Sequence, residues 1–130
     1  MLLAWTTVAT AADADRLAAD AVTRGLAICV QIEGPVVSHY RWQGVPERAT
    51  EFRLMFKFLP SQLAALEAWL HAVHPYAIPE WVVVRAEHVG EKYLSWAVAG
   101  STPLPFNAPP SLLYQPCPST KASKASPASS

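Results

Sequence analysis

The chain has 130 residues, of which 52% are apolar and only 15% are charged, with ten basic residues balancing ten acidic ones. That length holds one core of ordinary size, and a charged share well below the roughly 25% of soluble domains leaves too little charge to coat a monomer evenly. The balance of charge, with no Lys/Arg cluster along the chain, argues against nucleic acid as a partner. No run approaches the roughly 18 consecutive apolar residues that a membrane helix needs.

Met1 to Val8 is apolar, lacks a basic flank and soon meets Asp13 and Asp15, so it reads as a first strand and not as a signal peptide. The expected compartment is therefore cytoplasmic, where Cys29 and Cys117 would stay unbridged. Asp13 or Asp15 can cap a first helix, in which Leu17, Ala18, Ala21 and Val22 share a face and Gly25 supplies a stop. Ala27 to Ile32 is a short run of β-formers. Gly34-Pro35 then bends the chain into Val36 to Gln43, which extends or follows the second strand.

Gly44-Val45-Pro46 turns the chain again, and Glu51 to Leu59 is the strongest strand signal, with Phe52, Leu54, Phe56 and Phe58 alternating on one face. Pro60 and Ser61 suit a helix start; Leu63, Leu66, Trp69, Leu70 and Val73 follow at helical spacing until Pro75 forbids continuation. Ile78 to Ala86 reads as a last strand, apolar without alternation at Trp81 to Val84, which predicts cover on both sides. Past Gly90, Tyr93, Leu94 and Trp96 mark a short final helix. From Ser101 the composition turns to Pro and Ser, which predicts a domain over residues 1–100 and an extended, partly disordered arm or tail over 101–130.

The order strand, helix, strand, strand, helix, strand is the split βαβ, or ferredoxin-like, α+β arrangement, in which both helices cover one face of an antiparallel sheet. The other face is left without a cover, although Phe, Trp, Met and Val occupy both faces of the strongest strands. Association of subunits is the simplest remedy, since burying a large apolar side chain is worth about 2 to 3 kcal/mol.

Three stretches resemble the CutA divalent-cation tolerance family, in the right order on the right elements. They are Gly25-Leu26-Ala27-Ile28-Cys29-Val30, then Ser38-x-Tyr40-x-Trp42-x-Gly44 with Glu51 and Lys57, then His74-Pro75-Tyr76-x-Ile78-Pro79-Glu80 with Tyr93-Leu94-x-Trp96. The resemblance implies a homotrimer similar to the PII signalling proteins, whose subunit clefts gather these residues, and it implies copper binding and metal tolerance. Thr6 stands where some members place a cysteine.

A thiol, an imidazole and carboxylates suit copper or another divalent cation, which makes Cys29, His74, Glu51 and Glu80 the candidate metal ligands. Tyr40, Trp42, Lys57, Tyr76 and Trp96 are the candidate cleft or interface residues. The blander reading makes Cys29 a small buried hydrophobe, His74 a complement to the helix dipole, and the aromatic residues core or interface. No nucleophile elbow, phosphate-cradling loop or paired metal-binding histidines occur, so a non-enzymatic protein is expected. The alternative to metal response is a signalling or scaffold trimer that holds a small molecule or protein in the same cleft.

Overall fold

A computed structural model describes residues 1–101; the expected arm or tail and Cys117 lie outside the described residues. The elements are β1 (Leu2–Val8), α1 (Ala11–Thr23), β2 (Cys29–Trp42), β3 (Val45–Phe58), a 3-10 turn (Pro60–Gln62) running into α2 (Leu63–Val73), β4 (Val82–Arg85) and α3 (Glu91–Gly100). The four strands form one sheet in the order β2-β3-β1-β4, with every neighbouring pair antiparallel. This is the ferredoxin-like α+β arrangement that the alternation of periods implies.

Strand pairing and helix packing follow from the same residues. Leu2, Ala4 and Val8 of β1 and Leu54, Phe56 and Phe58 of β3 point to one face, where they meet Ala14, Leu17 and Ala21 of α1 and Leu66 and Leu70 of α2. Phe56 is fully buried and stands edge-on to Trp81, with centroids 5.8 Å apart. The opposite face carries Leu3, Trp5, Met55 and Lys57. The first turn of α3 reaches over it, with the Lys57 ammonium 5.3 Å from the centre of the Tyr93 ring. That sheet face is thus covered in part by the chain's own last helix.

Several boundaries differ from the expectations. The α1 cap is Thr10, whose Oγ1 accepts from the Asp13 amide at 3.1 Å, and not Asp13 or Asp15. The hydroxyl sits three residues ahead of the amide it serves, as an N-cap must. The helix stops at Gly25 as expected, through Gly25 N–H to the Val22 carbonyl and Leu26 N–H to the Ala21 carbonyl. β4 is four residues long because Pro79 withholds an amide from the ladder and the chain through Glu80 stays irregular. It is an edge strand with Val82 and Val84 exposed, so cover on both sides is not supplied among the described residues.

The larger difference is the length of β2 and β3. Each runs 14 residues, and their register continues from Cys29 opposite Lys57 to Trp42 opposite Val45. Gly34-Pro35 does not end β2 but makes a bulge, so that Glu33 faces Arg53 and Val36 faces Glu51. A side chain at Gly34 would put its Cβ 2.6 Å from Phe52 Cδ1, which is why glycine is required there. At the far end Gln43 and Gly44 have φ of 50° and 80°, the two positive values of a tight hairpin turn whose twist matches the strands. Beyond Glu51 the hairpin has no neighbour from β1, which ends at Val8 opposite Phe52.

Candidate functional site

Residues directly opposite one another on paired strands share a face. Val36, Ser38, Tyr40 and Trp42 therefore lie on the same side as Glu51, Ala49, Glu47 and Val45, their respective partners. This side of the hairpin floors a groove of about 820 Å³, to which Ser38, Tyr40, Trp42, Glu47 and Glu51 contribute. Its wall is the connection after α2, through Tyr76, Ala77, Ile78 and Glu80, with Thr7 and His39 at its margins. The hairpin's other side carries His39 opposite Arg48 and Arg41 opposite Pro46. One ribbon therefore separates an acidic, aromatic surface from a basic one.

His74 anchors the wall. It leaves α2 in an extended conformation and turns its ring back to β1, away from the helix-end carbonyls. Nδ1 accepts from the Tyr76 amide at 3.0 Å, which places the ring proton on Nε2. From there it donates to the Thr7 carbonyl at 3.1 Å, with Thr6 Oγ1 at 3.0 Å. Burial lowers the His74 pKa from its ordinary value, so the ring is neutral near pH 7. This replaces the helix-dipole reading: the imidazole is a buried clasp between strand and loop.

The clasp positions Tyr76, whose hydroxyl donates to Glu51 Oε2 at 2.9 Å. Glu51 is only 8% exposed, and the phenol is its one side-chain hydrogen-bond partner among the described residues. Burial first, and the Glu51 carboxylate second, push the Tyr76 pKa well above its usual value, so the phenol remains a donor. The His74 and Tyr76 rings lie 5.0 Å apart at 59°, and the corner is stiffened further by Pro75 and Pro79.

The residues singled out from the sequence fall into two groups within one chain. Glu51, His74, Tyr76, Glu80, Tyr40 and Trp42 gather at or beside the groove. Cys29 does not join them. It pairs with Lys57, six positions along β3 from Glu51, which is roughly 20 Å at about 3.3 Å per residue. Lys57 leads through Tyr93 to Trp96, whose ring centre is 5.5 Å from that of Tyr93, so Cys29, Lys57 and Trp96 belong to the α3 end of the sheet. Among the described residues no three His, Cys, Asp or Glu side chains stand close enough to hold one metal ion.

Thr7, His39 and Glu47 are not among the residues singled out from the sequence, and Thr6 and Ser38 are named there only through the family resemblance, without a place in the site. Glu47 was reachable in principle: a two-residue turn at Gln43-Gly44 places it opposite Tyr40. The part played by Thr6 needed knowledge of where α2 ends relative to β1, which no local pattern carries.

The fold and groove can be set beside known proteins. The CutA homologue of Xenopus laevis is 37% identical over 75 residues, and this match spans 58% of the chain but only half the length of that relative. The divalent-cation tolerance protein CutA of Yersinia pestis is 35% identical over 85 residues, 65% of this chain and 71% of that one. Among solved structures, CutA from Synechococcus elongatus superposes with a TM-score of 0.74 at 42% identity, covering 78% of this chain and 89% of that chain. The same protein is also known complexed with a Bis-Tris molecule, with a TM-score of 0.70 and 41% identity. The model of the CutA1 divalent ion tolerance protein family matches residues 2–99. With the strand order and the sequence agreeing over nearly all of the described residues, this chain belongs to the CutA1 divalent ion tolerance family.

Proposed function

We propose that the protein is a cytoplasmic homotrimer of PII-like architecture that serves divalent-cation tolerance without catalysing a reaction, and that the groove is where it meets its ligand. The observation that carries this reading is the convergence of Glu47, Glu51 and Glu80 on one groove whose lining contains no Lys or Arg. Trimerisation is supported by the hairpin beyond Glu51, which among the described residues pairs only with itself and leaves Val37, Tyr40, Trp42 and Val45 exposed. A lone two-stranded ribbon is marginal in water, and a neighbouring subunit gives it a surface. No helix among the described residues is long and apolar enough to cross a membrane.

Copper is the divalent cation proposed from the family resemblance, with Glu51 and Glu80 as oxygen donors. His74 can serve only after its bonds to the Tyr76 amide and to Thr7 open, because both ring nitrogens are engaged. Cys29 can serve only from another subunit, given its distance along β3. Native mass spectrometry of the purified protein should show a trimer that retains stoichiometric copper, and Glu51→Gln with Glu80→Gln should lower the affinity. A monomer at micromolar concentration overturns the assembly. Copper affinity unchanged by Cys29→Ser strikes that residue from the set. A second reading, a trimer that recognises a small molecule, is favoured by the rings of Tyr40, Trp42 and Tyr76 in the same groove.

A further inference from the structure

The groove has charge and shape in a particular combination. Among the described residues, none of Glu47, Glu51 and Glu80 takes part in an ion pair; the pairs that exist are Arg16–Asp13, Arg24–Asp20, Arg53–Glu33 and His71–Glu67. Three carboxylates therefore line one concavity without a cation from this chain's described part to balance them. Glu51 is more than nine-tenths buried, and among the described residues a single side-chain donor, the Tyr76 hydroxyl, meets it.

The rest of the lining says what kind of cation fits. A bare metal ion requires several donor atoms within about 2.0 to 2.6 Å of one point, and no three His, Cys, Asp or Glu side chains gather so among the described residues, so a metal here would need donors from a neighbouring subunit, whereas an organic cation would not. The space of about 820 Å³ is that of a small organic molecule. In the single chain Tyr40 and Trp42 are about half exposed and face the groove, and Tyr76 forms the opposing wall. Aromatic faces attract a diffuse ammonium charge most strongly where water is excluded, and carboxylates nearby add to the same preference.

We infer that the groove binds an organic ammonium ion, with its alkylated nitrogen against Tyr40, Trp42 and Tyr76 and its charge balanced by Glu47, Glu51 and Glu80. This rests on the reading of the groove as the ligand site and names the class of ligand. Recognition is by charge and ring surface together, so a molecule of the same shape without charge is rejected.

The full-length protein would be titrated by calorimetry with choline and with 3,3-dimethylbutan-1-ol, its uncharged isostere, and separately with copper. Choline should bind at least about tenfold more tightly than the alcohol. Trp42→Leu should weaken choline about fivefold, within the range of a cation–ring contact. Glu47→Gln with Glu80→Gln should weaken it about tenfold. These residues are exposed in the single chain, and the titrations are run at concentrations where sedimentation shows parent and variants equally assembled, so any lost affinity reports on the groove and not on self-association. Equal binding of choline and the alcohol, or no choline binding at all, overturns the ammonium assignment. If copper then binds and is weakened by Glu47→Gln with Glu80→Gln, only the ligand class has failed. If no ligand responds to any groove substitution, the groove itself is not the site.

Discussion

The two halves of the β2–β3 hairpin obey different rules. From Cys29 to Glu33 and from Phe52 to Phe58 the ribbon is part of the four-stranded sheet, with β1 paired to β3 and two helices beneath, and side chains such as Leu54, Phe56 and Phe58 are lost from water altogether. From Val36 to Thr50 the same two strands pair only with each other among the described residues, and Trp42 and Val45 are more than half exposed. The near half is explained by one chain's own hydrophobic burial. The far half is regular without being buried, so within this chain its order rests on ladder hydrogen bonds and a well-formed turn. The groove begins where one regime gives way to the other, with Glu51 closing the buried half and opening the exposed one.

Substitutions on either side should separate the regimes. Phe56→Ala removes a fully buried ring and its edge contact with Trp81, and should cost about 3 to 5 kcal/mol in urea unfolding. At the joint, Tyr76→Phe takes the only side-chain donor among the described residues from a carboxylate that is 8% exposed, and should cost about 1 to 3 kcal/mol. Glu51→Gln in the same background should recover part of that loss, because the amide needs less solvation than the charge. In the far half, Trp42→Ser should change folding by less than about 0.5 kcal/mol, yet weaken self-association by about tenfold or more in sedimentation. If Trp42→Ser unfolds the protein as Phe56→Ala does, the distinction between the halves is wrong.

The same division decides what could be read from the sequence. Where burial dictates residue type, the pattern is plain: Leu54, Phe56 and Phe58 alternate, Leu66 and Leu70 recur at helical spacing, and Pro60 and Pro75 bracket α2. Where burial is absent, Gly34-Pro35 and Pro46 look like interruptions, and only the register shows that one is a bulge and the other a ladder position opposite Arg41. The His74-Pro75-Tyr76 stretch is legible as one of the three that carry the family resemblance. That its imidazole clasps Thr6 and Thr7, 67 to 68 residues earlier, belongs to tertiary structure alone. Cys29 entered the candidate ligand set by chemistry, and the separation from Glu51 follows from strand register, which residue type does not encode.

The mildest perturbation changes only the pH. Burial holds the His74 pKa below its ordinary 6.5 in the folded protein, so above that value the ring is neutral both folded and unfolded, and its contribution to stability is complete. As the pH falls below 6.5 the unfolded chain takes up a proton that the folded chain resists, so stability declines until the lower, folded pKa is passed and then levels off. Geometry supplies the reason: a proton on Nδ1 would face the Tyr76 N–H, setting donor against donor where a hydrogen bond now stands. Tyr76 acts with the opposite sign, since its raised pKa means that stability is complete below about pH 10 and declines as the pH climbs above it. Urea midpoints measured from pH 7.5 down to 5 should therefore fall, and His74→Gln should flatten that decline while starting from a lower midpoint. A parent midpoint that stays level across this interval would mean that the imidazole titrates freely, and the clasp between β1 and the groove wall would have to be abandoned.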